Sequence, residues 1–307
     1  MRSSESLAAR ADRSVSSSPT SAAFTAAQRD RLFDAILVDD VVDAETRLPA
    51  RIGFDYPADT LQACFALCRD LWSTGFDRPM LVAMIAQLLR GRPLDDLQRR
   101  RFKAVRAKFK HFRYAYRLYG ADHQVPQSFD RVTIVMGKLQ DAIRNHQRAA
   151  TISHALALRL LLSRPFVRRL ERDARNVAMT DAASFRRMFE DDAARLTTLI
   201  AQPTVSGREL HAGRKIIGRQ VSFYDTLRTL APSQDAYDMS RSLSAINGLM
   251  GELHDELIEE KMIDSTAYDS DRFAMPADIA RRLAELVAGF GNAVADRADG
   301  QSPVVAR

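Results

Sequence analysis

Several features are scarce in this chain of 307 residues, and each scarcity argues against a class of protein. Glycine and proline number only 13 and 11, and Leu, Ala and Arg dominate the long segments, so the composition predicts an all-α protein without a sheet. No run of 18 apolar residues occurs, so we expect no membrane span. Four histidines lack metal-ligand spacing to cysteines or acids, so we expect neither a metal site nor a cofactor: His111, His123, His146 and His154.

Cysteine is also rare, since the chain contains only Cys64 and Cys68. Two cysteines one helical turn apart have poor geometry for a disulfide bond. We therefore expect two buried free thiols and a cytoplasmic location. The first 23 residues are rich in Ser, Ala and Arg without an apolar core, which indicates a disordered tail rather than a secretory signal. A transit peptide shares this composition, but the acids Glu5 and Asp12 argue against it.

Breakers divide the rest of the chain into helical segments with short connections, which predict antiparallel bundles. The predicted helices cover residues 25–38, 58–73, 78–91, 94–119, 127–148, 150–163, 165–177, 181–201, 206–230, 234–262 and 276–291. We expect disordered termini, with a tail over residues 1–25, a helical lead-in region over 26–92, a main helical domain over 94–291 and a C-terminal tail over 292–307.

One predicted helix is strongly basic, because residues 99–117 contain nine Lys or Arg and no acid. At ~100° per residue, six of these cations fall within roughly 40° of one line, a stripe about 27 Å long. They are Arg99, Lys103, Arg106, Lys110, Arg113 and Arg117. The apolar residues Phe102, Val105, Phe109, Phe112 and Tyr116 occupy an adjacent face. The helix is therefore predicted to pack by one face and to present cations on another.

Like charges three and four residues apart repel each other, and no acid in this helix relieves the repulsion. Either carboxylates from a neighbouring helix pair with the stripe, or an external polyanion does; a merely solvated face is the third reading. Cations at this spacing can each meet a phosphate and release counterions. Because the aromatic residues lie on the packing face, base stacking is not indicated.

A second group of basic residues lies further along the chain and is interrupted by Glu171 and Asp173. It is either a mixed-charge face or another polyanion contact, and its members are Arg164, Arg168, Arg169, Arg172 and Arg175.

The segment from Phe102 to Asp141 recurs in altered form from Leu210 to Asp255. The matched pairs are Phe102 with Leu210, Lys103 with His211, Arg106 with Arg214, Phe109 with Ile217, and Tyr116 with Tyr224. Each copy ends in a Gly-x-Leu-x-Asp element, over residues 137–141 and 251–255. This internal duplication predicts two similar antiparallel helical bundles. Asp141 and Asp255 are either ion-pair partners for the arginine of their own half or ordinary surface carboxylates.

These motifs resemble the CHAD (conserved histidine α-helical) domain, an all-helical fold of two similar halves. The resemblance rests on residues 210–215 and 249–255, and on 103–106, 112–114 and 137–141, and it covers about 94 to 291. It implies binding of inorganic polyphosphate by basic residues between the halves, without catalysis. Carried over by position, the second half contributes His211, Arg214, Lys215 and Arg219. Association with storage granules is compatible with this partner. The Glu-x-Glu-x-Lys signature of the CYTH triphosphatase domain, to which some members are fused, is absent.

The chain departs from the family pattern in both halves. Lys103 replaces the first-half histidine, and Gly218 and Ser222 interrupt the second stripe, so we expect binding dominated by the first half. Nucleic-acid binding is the first alternative function. The second is a metal-dependent phosphohydrolase of the HD type, because His254 and Asp255 are adjacent and His211 lies upstream. That site needs a further distant ligand, for which Asp264, Asp271 and Asp278 are too generic to choose among.

Overall fold

The structure is a computed structural model that describes residues 24–261 and 271–298. Within these ranges it is almost wholly helical, which confirms the all-α prediction. Its helices are α1 Ala26–Ile36, α2 Ala58–Gly75, α3 Arg78–Leu89, α4 Asp96–Tyr119, α5 Gln127–Arg144, α6 Arg148–Leu161, α7 Arg164–Arg175, α8 Ala182–Ile200, α9 Gly207–Leu230, α10 Gln234–Lys261 and α11 Ala277–Ala298. Each begins within two residues of its predicted start.

Two differences from the sequence predictions concern the second half of the chain. Helix α11 continues to Ala298, past the predicted start of the tail, because no proline interrupts it after Pro276. The expectation of no sheet is wrong at one point, where β1 (Val205–Ser206) pairs antiparallel with β2 (Arg272–Phe273). Val205 is fully buried, so the backbone groups of the two loops pair with each other instead of with water. Of the predicted tails over residues 1–25 and 292–307, residues 1–23 and 299–307 lie outside the described residues.

Capping boxes begin the two helices that matter most for the site. The side chain of Asp95 accepts a hydrogen bond from the Gln98 backbone N–H, and Gln98 reaches back to the Asp95 backbone. Ser206 and Glu209 make the same exchange at the start of α9. Such caps supply hydrogen-bond acceptors to N–H groups that would otherwise be unpaired, and each cap typically stabilises the protein by ~1 kcal/mol. The register of α4 and α9, and so the direction of their cations, is set from the first turn.

Residues of the lead-in region share the main core. Trp72 is buried and stacks on Phe112 of α4 with ring centroids 5.1 Å apart, as expected for a core residue. Cys64 and Cys68 are free and buried, which confirms that prediction. Helix α2 packs against both α4 and α9, so these three helices form the centre of the molecule. No helix in the described part of the chain has the length and apolar content needed to cross a membrane.

Helix α9 is the most enclosed element near the site. It packs against α1, α2, α4, α8 and α10, and 15 of its residues are buried. Residues 37–57, which join α1 to α2 without regular structure, pass close to α10 and α11 and insert Ile52 and Phe54 into the core. Helix α4 keeps one face toward solvent, and this face carries the predicted basic stripe.

Candidate functional site

The apolar face of α4 is buried as predicted. Its members are at most 6% exposed: Phe102, Val105, Phe109, Phe112 and Tyr116. Several of their rings pack against those of Phe65, Trp72 and Phe129, in stacked or tilted pairs with centroid distances of 5 to 6 Å. This packing fixes the rotation of α4 about its axis. The stripe therefore faces away from the core, except where neighbouring segments reach it.

Three cations of the stripe have carboxylate partners, so carboxylates of the protein itself relieve part of the repulsion along the stripe. Arg99 pairs with Asp96, one turn away in the same helix but just outside the acid-free run. Nζ of Lys110 lies 3.0 Å from Oδ2 of Asp39, and Nε of Arg113 lies 2.7 Å from Oδ1 of Asp130. Both of these acids come from other segments of the chain.

The other three cations of the stripe have no hydrogen-bond or ion-pair partner among the described residues: Lys103, Arg106 and Arg117. Lys103 is exposed. Arg106 is half-buried against Gly137, where an added Cβ would lie 3.2 Å from Nη2, and its Nε is buried without an acceptor. Burial lowers the pKa of Arg106, and Asp141 opposes that effect only in part. Arg106 is thus a partly desolvated cation without a bound anion.

On α9, Arg214 lies against Gly251 as Arg106 lies against Gly137. A Cβ added at Gly251 would be 2.6 Å from Nη2 of Arg214. Of the two readings of Asp141 and Asp255, the ion pair with the arginine of the same half is not formed within the described residues. A glycine on the facing helix makes room for each guanidinium. The two glycines therefore allow the close approach of an arginine side chain.

His211 does not carry the charge expected of a binding cation. Its ring stacks on His254 with centroids 4.5 Å apart and an angle of 13° between the planes. Burial, then the charges of Lys215 and of His254, lower the pKa of His211 to about 4. At neutral pH His211 is therefore uncharged, and its buried Nδ1 has no partner among the described residues.

Arg219 is also unlike the expectation, because the buried carboxylate of Asp192 accepts a hydrogen bond from its guanidinium. Asp192 is only 2% exposed at its side chain, so this pair is largely shielded from water. A buried charge that already has a partner on α8 is a weak site for an external anion. Arg219 is a structural residue as well as a member of the basic surface.

Lys215 and Arg117 form the part of the site where α4 and α9 combine their charges. They line an open cleft of about 350 Å³ together with Arg219 and Arg195, the last from α8. Desolvation and then the charges of Arg113 and Arg117 lower the pKa of Lys215, although its side chain is exposed. Burial and then Arg113 and Arg219 lower the pKa of Arg117. Arg195 was not predicted, because nothing in the sequence of α8 marks its direction.

The contact between α4 and α9 explains the interruption of the second stripe. The hydroxyl of Tyr114 would be 2.9 Å from a Cβ at Gly218, so any larger residue there would have to displace it. Ser222 and His111 share a buried hydrogen bond of 3.0 Å, and Nε2 of His111 lies 3.1 Å from Oγ1 of Thr226. His111 is a packing residue, and small or hydroxylated residues on α9 are needed to accept α4.

The arginines of α7 form a separate exposed cluster. Arg164, Arg168, Arg172 and Arg175 make no ion pair within the described part of the chain, whereas Arg169 lies 3.8 Å from Asp173. Glu171 is exposed among these arginines. Its role as a second polyanion contact stays a prediction.

The ligands considered for a metal-dependent hydrolase do not converge among the described residues. No group of three or more His, Cys, Asp or Glu side chains in residues 24–261 and 271–298 is arranged to hold a metal ion. Asp278 pairs with Arg281 and Arg282, and Asp264 lies outside the described residues. His123, another histidine without ligand spacing, contacts the Arg117 carbonyl and the Ser184 hydroxyl.

No family model, curated protein or solved structure matches this chain. The arrangement of the residues themselves is therefore the basis for any functional conclusion.

Proposed function

We propose that the protein binds inorganic polyphosphate, without catalysis, along the seam between α4 and α9. One observation carries the proposal: five of the predicted binding cations on these helices have no carboxylate partner within the described residues. They are Lys103, Arg106, Arg117, Arg214 and Lys215. The pKa values of Arg106, Arg117 and Lys215 are lowered by burial and by neighbouring cations. A bound polyanion would relieve that unfavourable electrostatic energy.

An extended chain of phosphates suits this seam better than a compact anion. The unpaired cations are distributed along α4, from Lys103 to Arg117, and continue across to Lys215 on α9. Arginine offers forked N–H donors that match phosphate oxygens, and each contact releases condensed counterions. The paired cations Lys110, Arg113 and Arg219 add positive potential but fewer free donors. We expect the α4 cations to contribute most of the affinity.

Nucleic acid is the runner-up ligand. Proteins that bind single strands without sequence preference stack bases on exposed aromatic rings. Here the aromatic residues of α4 face the core, and Tyr114 is half-buried against Gly218. A ligand recognised through its phosphates alone is therefore favoured over one recognised through its bases.

The proposal includes membership of the CHAD family and the duplication that goes with it. Its support is the repeated contact of an arginine with a glycine of the next long helix, Arg106 on Gly137 and Arg214 on Gly251. Four residues at matched positions thus make matched contacts.

A metal-dependent phosphohydrolase is the less favoured alternative. The rings of His211 and His254 are stacked, so the lone pairs of their nitrogens lie in nearly parallel planes and do not point at one metal ion.

Titration of the purified protein with long-chain polyphosphate, duplex DNA and single-stranded RNA at several salt concentrations tests the proposal. We expect polyphosphate to bind most tightly, with a slope of log K against log salt of about −2 to −4 for roughly three to five phosphate contacts. Nucleic acid binding equally tightly, with the same slope, would support the runner-up. No salt-dependent binding to any of the three would refute a polyanion site.

A further inference from the structure

An acidic segment lies between α1 and α2, over residues 38–45, and we call it the acidic strap. It carries Asp39, Asp40, Asp43 and Glu45 and no Lys or Arg. Four acids in eight residues are unusual beside a surface whose other charges are mostly positive, and they make the strap electrostatically similar to a short polyanion.

The strap reaches the middle of the basic stripe. Oδ2 of Asp39 accepts a hydrogen bond of 3.0 Å from Nζ of Lys110. The Asp39 carboxylate also acts on the unpaired guanidinium of Arg106, whose pKa it helps to keep from falling further. Lys110 in turn is close enough to Arg214 of α9 for their charges to interact. Asp39 therefore lies where the cations of α4 and α9 come close to each other.

Polar contacts to α10 hold the strap in place. Nδ2 of Asn247 donates to the Asp39 carbonyl at 2.7 Å, and a guanidinium N–H of Arg241 donates to the Val38 carbonyl at 3.2 Å. The Asp40 carbonyl lies directly over Gly248, where any Cβ would collide with it. These contacts explain why α10 has glycine at that position.

The apolar side chains of the strap add little to this anchoring. Val41 is 43% exposed and Val42 is 37% exposed, so their burial holds the strap only weakly. A segment held by a few polar contacts and one ion pair opens at low cost compared with a packed helix.

We propose that the acidic strap is an internal competitor for the polyphosphate site, and that bound polyphosphate displaces Asp39 from Lys110. This inference rests on the proposed function. Carboxylate and phosphate oxygens are the same kind of acceptor for a lysine ammonium group, so the two anions exclude each other at Lys110. The unpaired cations capture the chain first, and release of the strap then adds Lys110 to the contact. The strap therefore raises the polyphosphate concentration that is needed to engage Lys110.

Binding measurements on Asp39→Asn test the competition. The substitution keeps the shape of the side chain and removes its charge, so we expect affinity for long-chain polyphosphate to rise about tenfold. The matched control is Asp40→Asn, the same change at the adjacent exposed position, which has no ion pair within the described residues. It should change affinity less than about twofold. Equal effects at the two positions would show that only net charge matters and would overturn the proposal.

Two further variants separate displacement from other causes. In a Lys110→Ala background, Asp39→Asn should no longer raise the affinity, because its competitor role acts through Lys110. Gly248→Ala pushes the strap away without altering any charge and should also tighten binding. If Asp39→Asn weakened binding, Asp39 would be a residue that orients Lys110 for the ligand, and the proposal would be wrong.

Hydrogen exchange distinguishes failure of this inference from failure of the proposed function. Polyphosphate should increase amide exchange in residues 38–45 of the wild-type protein. Binding with unchanged exchange there would leave the proposed function standing and refute the strap as a competitor. If neither the wild type nor Asp39→Asn nor Gly248→Ala bound polyphosphate, the proposed function itself would be refuted and the strap would have nothing to exclude.

Discussion

Helices α4 and α9 differ in how much surface they expose, although each has 24 residues, begins with a capping box and shares the same residue pattern. Nine residues of α4 are buried, against 15 of α9. The more enclosed helix has Gly218 and Ser222 where a continued stripe would place polar or charged side chains. The longer row of charged side chains thus lies on the helix that the fold leaves more exposed to water.

The cations that α9 keeps in its enclosed part are neutralised by its surroundings. Arg219 pairs with Asp192, and Arg228 lies 3.3 Å from Asp225. On α4, by contrast, Arg106 and Arg117 have no such partner in the described part of the chain. Within the described residues, the two arginines in the enclosed part of α9 therefore have carboxylate partners, whereas the proposed binding residues Arg106 and Arg117 of α4 do not.

The largest expected effect is on stability, from Arg219→Ala compared with Arg117→Ala. Removing Arg219 leaves Asp192 buried without its partner, which should cost about 3–5 kcal/mol of unfolding free energy. Removing Arg117 breaks no ion pair and should cost less than about 0.5 kcal/mol. Urea denaturation measures both, and adding Asp192→Ala to Arg219→Ala should recover part of the loss. Equal losses in the two single variants would erase the distinction between the helices.

The buried histidine of α4 predicts a loss of stability in acid. Burial lowers the pKa of His111 to about 3, against an ordinary value of 6.5. Below about pH 6.5 the His111 side chain becomes protonated in the unfolded chain, whereas in the native state it stays neutral until about pH 3. The free energy of unfolding therefore decreases as the pH falls from about 6.5 to about 3. The His111→Asn variant should be less stable than the wild type at pH 7. Between pH 7 and pH 4, however, its free energy of unfolding should decrease by about 3 kcal/mol less than that of the wild type. His154→Asn is the control, and an unchanged slope in His111→Asn would contradict the prediction.

The buried carboxylate of α9 predicts the opposite pH dependence. Burial raises the pKa of Asp225 to about 6, while Ser240 donates it a hydrogen bond of 2.6 Å that opposes the rise. The native state therefore holds a proton that the unfolded chain has released above about pH 4, and stability falls as the pH rises from 4 through 6. Asp225→Asn should remove this fall, gaining about 2 kcal/mol over the wild type between pH 4 and pH 7. Thermal unfolding of both proteins at pH 4 and pH 7 measures this gain. An equal loss of stability in the wild type and in Asp225→Asn would contradict the prediction.

The smallest expected effects come from substitutions at the two glycines that contact arginine side chains. Alanine at Gly137 gains up to about 1 kcal/mol of helix propensity and asks Arg106 to move only slightly. Alanine at Gly251 has to displace Arg214, which should cancel the gain. The melting temperature of Gly137→Ala should exceed that of Gly251→Ala by a few degrees. The reverse order would contradict the closer approach of Arg214 to its glycine.

Local signals in the sequence account for most of the fold. The Asp95 and Gln98 box marks the start of α4, and Pro126 marks the start of α5. Amphipathic spacing identified the buried face of α4, because its period reports directly on one side of a helix. The short pairing of β1 with β2 gave no such signal, since two residues per strand are too few for any pattern to appear.

The partners of the cations could not be predicted, because they depend on distant segments. Asp39 is 71 positions from Lys110, and Asp192 is 27 positions from Arg219. Nothing within α4 or α9 tells which loop or helix will bring a carboxylate within 4 Å. The positions of the cations followed from the sequence, but which of them stay unpaired followed only from packing.

The affinity of two variants for long-chain polyphosphate tests the central claim most directly. One replaces Lys103, Arg106 and Arg117 of α4 by alanine, and the other replaces Arg214 and Lys215 of α9. At about 1 kcal/mol per lost phosphate contact, the first should bind about 100-fold more weakly and the second about tenfold to thirtyfold, with the fold of both intact by circular dichroism. Wild-type affinity in the folded α4 variant would contradict the account.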